Sequence, residues 1–488
     1  MTRPATEDNE LPEGWVQTRV ADICHLNPPK PTPDEVASKT QVTFVPMPAV
    51  DADARAITNP QVRPFAEVRK GFTSFRDNDV ILAKITPCFE NKKAAVCRGL
   101  SNGLGFGSTE FHVLRSNGSV LPEYVYHFTR QESFLRDGES NMTGSVGQKR
   151  VPAGWLASVA IPLPPLAEQG RIVAKVEELL GRVNAARGRL AKVPALLKRF
   201  RQSILAAACS GELTADWREE RGIGEDDGTE LPAVWKRVPL RDLCDGFQYG
   251  SSRKSEPNGA IPVLRMGNIQ RGQIDWSDLV YTSDDEEIEK YRLTPETVLF
   301  NRTNSPELVG KSGIYLGERP AVFAGYLVRV LHGPRLNPHY LNHCLNAPEF
   351  KDYCATVKTD GVSQSNINAQ KLASFEIPWC DVNEQREIVR RVDALFALAD
   401  KIEARVSAAT ARVEKITQAI LAKAFRGELV PTEAELARQE GRDYEPASVL
   451  LDRIRAERAT GDSSAPKPRS PRGRKAGERA PRRGPRRP

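Results

Sequence analysis

Long apolar runs are missing from this 488-residue sequence. Nothing in it approaches the ~18 consecutive apolar residues that a membrane-spanning helix needs, so no membrane partner is expected. No two of the eight cysteines are spaced as Cys-x-x-Cys. They are scattered and read as reduced, mostly buried thiols in a cytoplasm. A Gly-x-x-x-x-Gly-Lys-Ser/Thr loop is also lacking, so ATP-driven work would have to come from another protein. Met1 to Glu10 is polar and acidic, unlike a signal peptide. Hydrophobic residues make up 40% and charged residues 27%, which fits a soluble, globular chain. The net charge of +7 is concentrated at one end, where Ser464 to Pro488 holds ten Lys or Arg and one acid. A nearly neutral folded part can hold nucleic acid only through local patches.

What the sequence does contain is a second copy of itself. Moved 216 residues along its own length, it brings Pro122 onto Pro338, Tyr124 onto Tyr340, Phe134 onto Phe350 and Gln148 onto Gln364. Glu168-Gln169 falls on Glu384-Gln385, and Gly211-Glu212-Leu213 on Gly427-Glu428-Leu429. The beginnings match at an offset of 220, with Leu11-Pro12 and Trp15 on Leu231-Pro232 and Trp235. This period far exceeds the roughly 20–50 residues of a solenoid repeat, so one domain-plus-helix unit is used twice. A duplicated unit suits a partner that is itself two-fold symmetric, and duplex DNA is one. The copies diverge most between residues 25–120 and 245–335, as expected if each recognises something different on a shared frame.

Each half reads as a mixed α/β globule. Asn102-Gly103, Asn117-Gly118, Asn258-Gly259 and Asp360-Gly361 mark turns. Residues 79–84 and 297–302 read as buried strands. Each globule ends in an Ile-Pro element and gives way to a long helix. In the first helix Ile172, Val176, Leu179, Val183, Ala186, Leu190, Val193, Leu197, Phe200 and Ile204 alternate by four and three. In the second the same spacing runs through Ile388, Val392, Leu395, Ala399, Ile402, Val406, Ala409, Val413, Ile416 and Ile420. A 3.5-residue period held over about four heptads is the seam of a coiled coil, so the two helices should pair antiparallel. Pro194 removes one hydrogen bond and clashes one turn back, which should interrupt the first helix near Ala191.

The run Ile161-Pro-Leu-Pro-Pro-Leu-Ala-Glu-Gln169 with Arg171-Ile-Val173, and its copy Ile377-Pro-Trp-Cys-Asp-Val-Asn-Glu-Gln385 with Glu387-Ile-Val389, resembles the helical region of specificity subunits of type I restriction-modification enzymes. Gly361-Val-Ser-Gln-Ser-Asn-Ile367, Lys84-Ile-Thr-Pro-Cys-Phe-Glu-Asn91, Asn301-Arg-Thr-Asn-Ser-Pro-Glu-Leu-Val-Gly-Lys311, Ser210-Gly-Glu-Leu213 and Arg426-Gly-Glu-Leu429 are similar to the same family. The resemblance implies an α+β chain with two tandem target recognition domains, residues 1–165 and 231–380. A long helix would follow each, at 166–215 and 381–430, with a linker at 216–230. Residues 431–460 would hold a short helix, and 461–488 a disordered basic tail. It further implies that each domain reads one half of a bipartite double-stranded DNA target. The paired helices would set the spacing and dock two methyltransferase subunits. Those partners would carry S-adenosylmethionine, and motor-nuclease subunits using ATP and Mg can join them. The chain would have no catalysis, cofactor or metal of its own. Other readings of the same architecture are a coiled-coil scaffold, or the specificity subunit of a modification-only or type IIB-like system.

Candidate DNA contacts form two clusters per domain. In the first domain they are Lys84, Thr86, Asn91, Lys92 and Lys93, then Gln148, Lys149 and Arg150. In the second they are Arg302, Asn304, Ser305 and Lys311, then Gln364, Ser365, Asn366 and Asn368. Arg and Lys suit guanine edges or phosphates, and Asn and Gln suit adenine edges. Other patterns argue for less. Asn27-Pro28-Pro29-Lys30 has lysine where an adenine methyltransferase needs an aromatic to stack the flipped base. Glu90-Asn91-Lys92 lacks a strand-held Pro-Asp to complete a nuclease site. His339 and His343 are four apart beside Cys344, with no further ligand pair evident.

Overall fold

The computed structural model describes residues 10–52, 54–145, 147–223, 230–361 and 364–462, with side chains to 457. It divides into two units, Met1–Ala186 with Arg412–Pro488, and Arg187–Ala411. The framing helices are α1 (Leu166–Leu190), α2 (Val193–Ser210), α3 (Ala215–Glu219), α4 (Val382–Phe425), α5 (Glu433–Glu440) and α6 (Ala447–Asp462). The long helix expected at 166–215 is therefore two helices. The break has the cause expected of Pro194. Ala191 N–H still reaches Arg187 O, Lys192 reaches only Arg189 O, and Leu196 restarts the ladder on Lys192 O. The span 216–230 is corrected from linker to part structure, because α3 continues into it. The C-terminal segment holds two helices rather than one. Most of the basic tail lies outside the described residues. No described helix is long and apolar enough to cross a membrane.

In the first unit, β1 (Val16–Arg19) pairs antiparallel with β10 (Ala160–Leu163). Between them lie β2 (Cys24–Leu26), β3 (Gln41–Val45), β4 (Gln61–Pro64), β5 (Thr73–Arg76), β6 (Val80–Ala83), β7 (Ala94–Val96), β8 (Leu104–Gly107) and β9 (Phe111–Ser116). They form two sheets, ordered β4-β3-β8-β5 and β2-β9-β6-β7. Gly105 is required where it sits, since a Cβ would lie 2.1 Å from the Phe75 ring. In the second unit β11 (Lys236–Pro239) pairs with the last strand, Glu376–Trp379, in the register of the first copy. Its main sheet runs β12 (Cys244–Tyr249), Leu327–His332, Thr297–Asn301, Ser312–Tyr315, Gly272–Ile274 and Ile269–Gln270. Thr303–Asn304, Ser365–Asn366 and Thr359–Asp360 make a small separate sheet.

The repeated Glu-Gln marks the joint between globule and helix. Trp15 Nε1 donates to Glu168 at 2.9 Å, and Trp235 Nε1 donates to Glu384 at 2.9 Å. Gln169 accepts Leu121 N–H and donates to the carbonyls of Ser119 and Pro164. Gln385 accepts Asn337 N–H and donates to those of Arg335 and Cys380. Buried amides and carboxylates persist only when so paired. Tyr124 and Tyr340 occupy equivalent places, donating to Pro162 O and Pro378 O.

Helices pack within each unit. In the first, Ile172, Val176 and Leu180 of α1 share a core with Leu421, Ala424 and Phe425 of α4. In the second, Ile204, Leu205 and Ala208 of α2 share one with Ile388 and Val392 of α4. Arg201, earlier on α2, meets Asp400 and Glu403, later on α4, so these two segments run antiparallel. Ile172, Val176, Leu197, Ile204, Ile388, Val392 and Val413 are buried. Leu179, Val183, Leu190, Leu395, Ile402, Val406 and Ile420 are half-buried. Three positions of the expected seam are corrected, the first being Ala186, which is exposed. Phe200 is 36% exposed and Ile416 is 42% exposed. They are equivalent in the repeat, and their C-terminal neighbours turn inward instead: Arg201 to its acids, Thr417 to a bond with Val413 O.

Arg390 hydrogen-bonds Glu387 at 2.7 Å and, with Arg391, holds its carboxyl down at about 2 against partial burial. A carboxylate whose folded value lies below its unfolded one stabilises above the ordinary 4.5 and loses that contribution as pH falls toward 2. Glu387→Gln should therefore lower stability at neutral pH. Its unfolding midpoint in urea should converge on that of the wild type between pH 4.5 and 2. A difference that stays constant over that interval would show that the pairs contribute nothing.

Candidate nucleic-acid interface

The two candidate clusters of each domain meet at one end of a sheet, by the same backbone bonds. In the first domain Lys84 N–H donates to Glu110 O and Lys84 O accepts Val151 N–H. In the second, Arg302 N–H donates to Tyr326 O and Arg302 O accepts Ile367 N–H. Thr86 N–H adds a bond to Lys149 O, and Thr303 pairs with Asn366 across the small sheet. Residues more than sixty apart in sequence are thus held side by side by rigid strands.

The side chains placed on this common frame differ. Around Lys84 the first domain sets Glu110, Gln148, Lys149 and Arg150. Arg150 grips Glu110 with two parallel bonds of 2.9 and 2.8 Å. That fork raises the arginine's pKa and lowers the glutamate's. The Lys84 ammonium, Gln148 amide and Lys149 ammonium make no side-chain hydrogen bond or ion pair among the described residues, and Gln148 and Lys149 are exposed. The second domain has Tyr326 where the first has Glu110, and it is 45% exposed. Arg302 lies 4.8 Å over the ring of Tyr249, which is 39% exposed. Asn366 Nδ2 donates to Thr303 Oγ1 at 2.8 Å, and Gln364 is exposed beside it.

Several candidates turn out to serve the protein itself. Lys92, at a left-handed φ of 58°, pairs with Glu414 at 2.9 Å, and Lys93 donates to Met47 O. Thr86 donates to the sulfur of Met142. Lys311 reaches Gln270 at 3.4 Å, and burial lowers its pKa. Ser365 is buried on Asp360, and Asn368 caps the helix Ala369–Ala373 through Lys371 N–H. Ser305 O accepts two turn amides, and Asn304 accepts Ser305 N–H. Asn91 remains exposed in the turn. Tyr249, Tyr326 and Glu110 were not legible as site residues. An aromatic or acid beside a strand reads as core or as solvated turn, and only the register of three strands puts each beside Lys84 or Arg302.

The other patterns fall into ordinary roles. Asn27 Oδ1 accepts Val113 N–H, closing a strand end. His343 packs edge-on to Phe396. No group of three or more His, Cys, Asp or Glu is placed to hold a metal among the described residues. An open groove of about 620 Å³ at the start of α4 is lined by Trp217, Arg221, Asp381, Glu384, Arg386, Glu387 and Arg390 among others. Its three arginines face three acids, so it has no net pull on an anion.

A domain model described as type I restriction modification DNA specificity domain matches residues 12–195 and 232–409. The chain is 32% identical to the type I restriction enzyme EcoKI specificity subunit of Escherichia coli K12, over 71% of this chain and 74% of that one. It is 33% identical to the StySPI specificity subunit of Salmonella potsdam, with the same coverages. Its fold is similar to a chain from a type I R-M system solved for its complex assembly, with TM-score 0.69, 23% identity and coverages of 86% and 100%. It is also similar to the HsdS subunit of Thermoanaerobacter tengcongensis, with TM-score 0.56, 24% identity and coverages of 86% and 98%.

Proposed function

This chain belongs to the type I restriction-modification DNA specificity family, and we propose from that membership that it is the non-catalytic, DNA-reading subunit of a modification complex. Each recognition domain reads one half of a split duplex target. The observation that carries this is the sheet-end frame built twice with different side chains: Lys84, Glu110 and Arg150 in one domain, Arg302, Tyr249, Tyr326 and Asn366 in the other. Two frames of one geometry dock two segments of one polymer alike, and their differing side chains select different sequences.

Chemistry belongs to partners in this reading. Methyltransferase subunits docked on the helices bring S-adenosylmethionine and modify adenine, and motor-nuclease subunits bring ATP and Mg. The subunit works in the cytoplasm, where the DNA is.

The test is selection of bound duplexes from a random library by the full chain. Two short enriched blocks separated by a fixed, unread gap are the expected result. A single block, or none, would favour a protein-binding scaffold, and tight S-adenosylmethionine binding by the isolated chain would favour a self-sufficient enzyme. Lys149→Ala should weaken all duplexes alike and reduce the slope of log affinity against log salt by about 1, because an exposed lysine neutralises one phosphate. A change in the enriched sequence instead would make Lys149 a base reader.

A further inference from the structure

We propose that Arg302 is a specificity-determining residue of the second domain, and that its guanidinium recognises the major-groove edge of a guanine in that domain's half-site. The inference rests on the DNA-reading function above and assigns one part of it to one side chain.

The backbone of Arg302 is fixed on both sides, by Tyr326 O and by Ile367 N–H, so the sheet end sets its position. The side chain is fixed as well. Its guanidinium carbon lies 4.8 Å over the Tyr249 ring, and Tyr249's hydroxyl accepts Ala369 N–H at 2.9 Å, which anchors that ring. Arg302 Nε donates to Thr303 Oγ1 at 3.3 Å, and the same oxygen accepts Asn366 Nδ2 at 2.8 Å. Plane and direction are both determined, and only the two terminal nitrogens are left. Neither makes a hydrogen bond to a described residue. A planar fork held this way loses little freedom when it binds.

Among the described residues no carboxylate pairs with Arg302, which is the second, independent observation. On the first domain's frame Arg150 is spent on Glu110. At the position equivalent to Glu110 the second domain has Tyr326, so nothing there competes for Arg302. Two coplanar N–H donors match the O6 and N7 acceptors of guanine, the commonest specific arginine contact to DNA. The neighbours suit a base edge better than a backbone: Gln364 and Asn366 carry amides, and Tyr249 and Tyr326 are aromatic. Lys84, the equivalent residue in the first domain, is a flexible point donor that cannot form the fork. The arginine-fork contact to guanine therefore belongs to the second half-site.

The experiment repeats the duplex selection with the full chain carrying Arg302→Ala, Arg302→Lys or Lys84→Ala. The wild type should enrich a split motif with a guanine in one block. Arg302→Ala and Arg302→Lys should both lose roughly ten- to a hundredfold discrimination at that guanine and leave the other block intact. Arg302→Lys keeps the charge, so its overall affinity should survive. Lys84→Ala should affect only the other block, which identifies the blocks. Unchanged motifs with uniformly weaker binding would make Arg302 a phosphate contact and overturn the assignment, as would relaxation at a base other than guanine. A wild-type chain that enriches no split motif overturns the DNA-reading function itself, and this assignment with it.

Discussion

Arg218→Met should destabilise the second unit by about 3–5 kcal/mol, the usual cost of stranding one partner of a buried ion pair. Arg218 and Glu384 are both buried, and Nη1 lies 2.6 Å from Oε1. The same oxygen accepts the Thr214 hydroxyl at 2.8 Å, the other accepts Trp235 Nε1, and Arg218 Nη2 ties Gly211 O. Removing the guanidinium leaves a carboxylate in the core with two neutral donors and frees the αL glycine that ends α2. The first unit solves the same problem without a direct arginine pair among the described residues. There Glu168 takes Trp15 and the backbone N–H of Glu433, and burial raises its pKa. The double variant Arg218→Met with Glu384→Met should recover much of the loss, since an apolar pair of similar volume has no charge to desolvate. Denaturant unfolding of both variants measures this. A single variant within about 1 kcal/mol of wild type, the ordinary range for surface pairs, would show that the hub is decorative.

This hub also shows where sequence reading stops. Asp216-Trp-Arg-Glu-Glu220 is so charged that it reads as a solvated linker. Nothing local reveals that Arg218 is paid in full by Glu384, 166 residues away. The repeat, the α/β character and the strands around residues 80–83 and 297–301 were legible because identity and apolar patterning are local. The Glu-Gln motif was legible as a motif, while its partners Trp15 and Trp235 were legible only as conserved spacing between copies. The seam was legible until one shared point. From Leu197 and Val413 the inward step is four residues rather than three, reaching Arg201 and Thr417 and leaving Phe200 and Ile416 outside. A straight helix of 3.6 residues per turn drifts about 20° per heptad from a 3.5 repeat, and a four-residue step corrects it. Apolar spacing alone cannot show that a polar side chain takes the inner position.

Adding seven residues to each helix, after Ala186 and after Ala411, should widen the unread gap of the target by about three base pairs. These points fall where the chain passes between its two units. A heptad keeps the seam facing its partner and adds about 10 Å at 1.5 Å per residue. Base pairs stack about 3.4 Å apart, so that length corresponds to three of them. The same three base pairs turn the second half-site by about 100° around a duplex of 10–10.5 base pairs per turn, so weaker binding should accompany the wider gap. The insertion in α4 alone should behave differently. It lengthens one helix of the pair and not the other, so it should cost stability without moving the gap. Mapping methylated adenines in cells carrying each variant with its methyltransferase measures both gap and activity. An unchanged gap in the doubly lengthened chain would mean that helix length does not choose the distance.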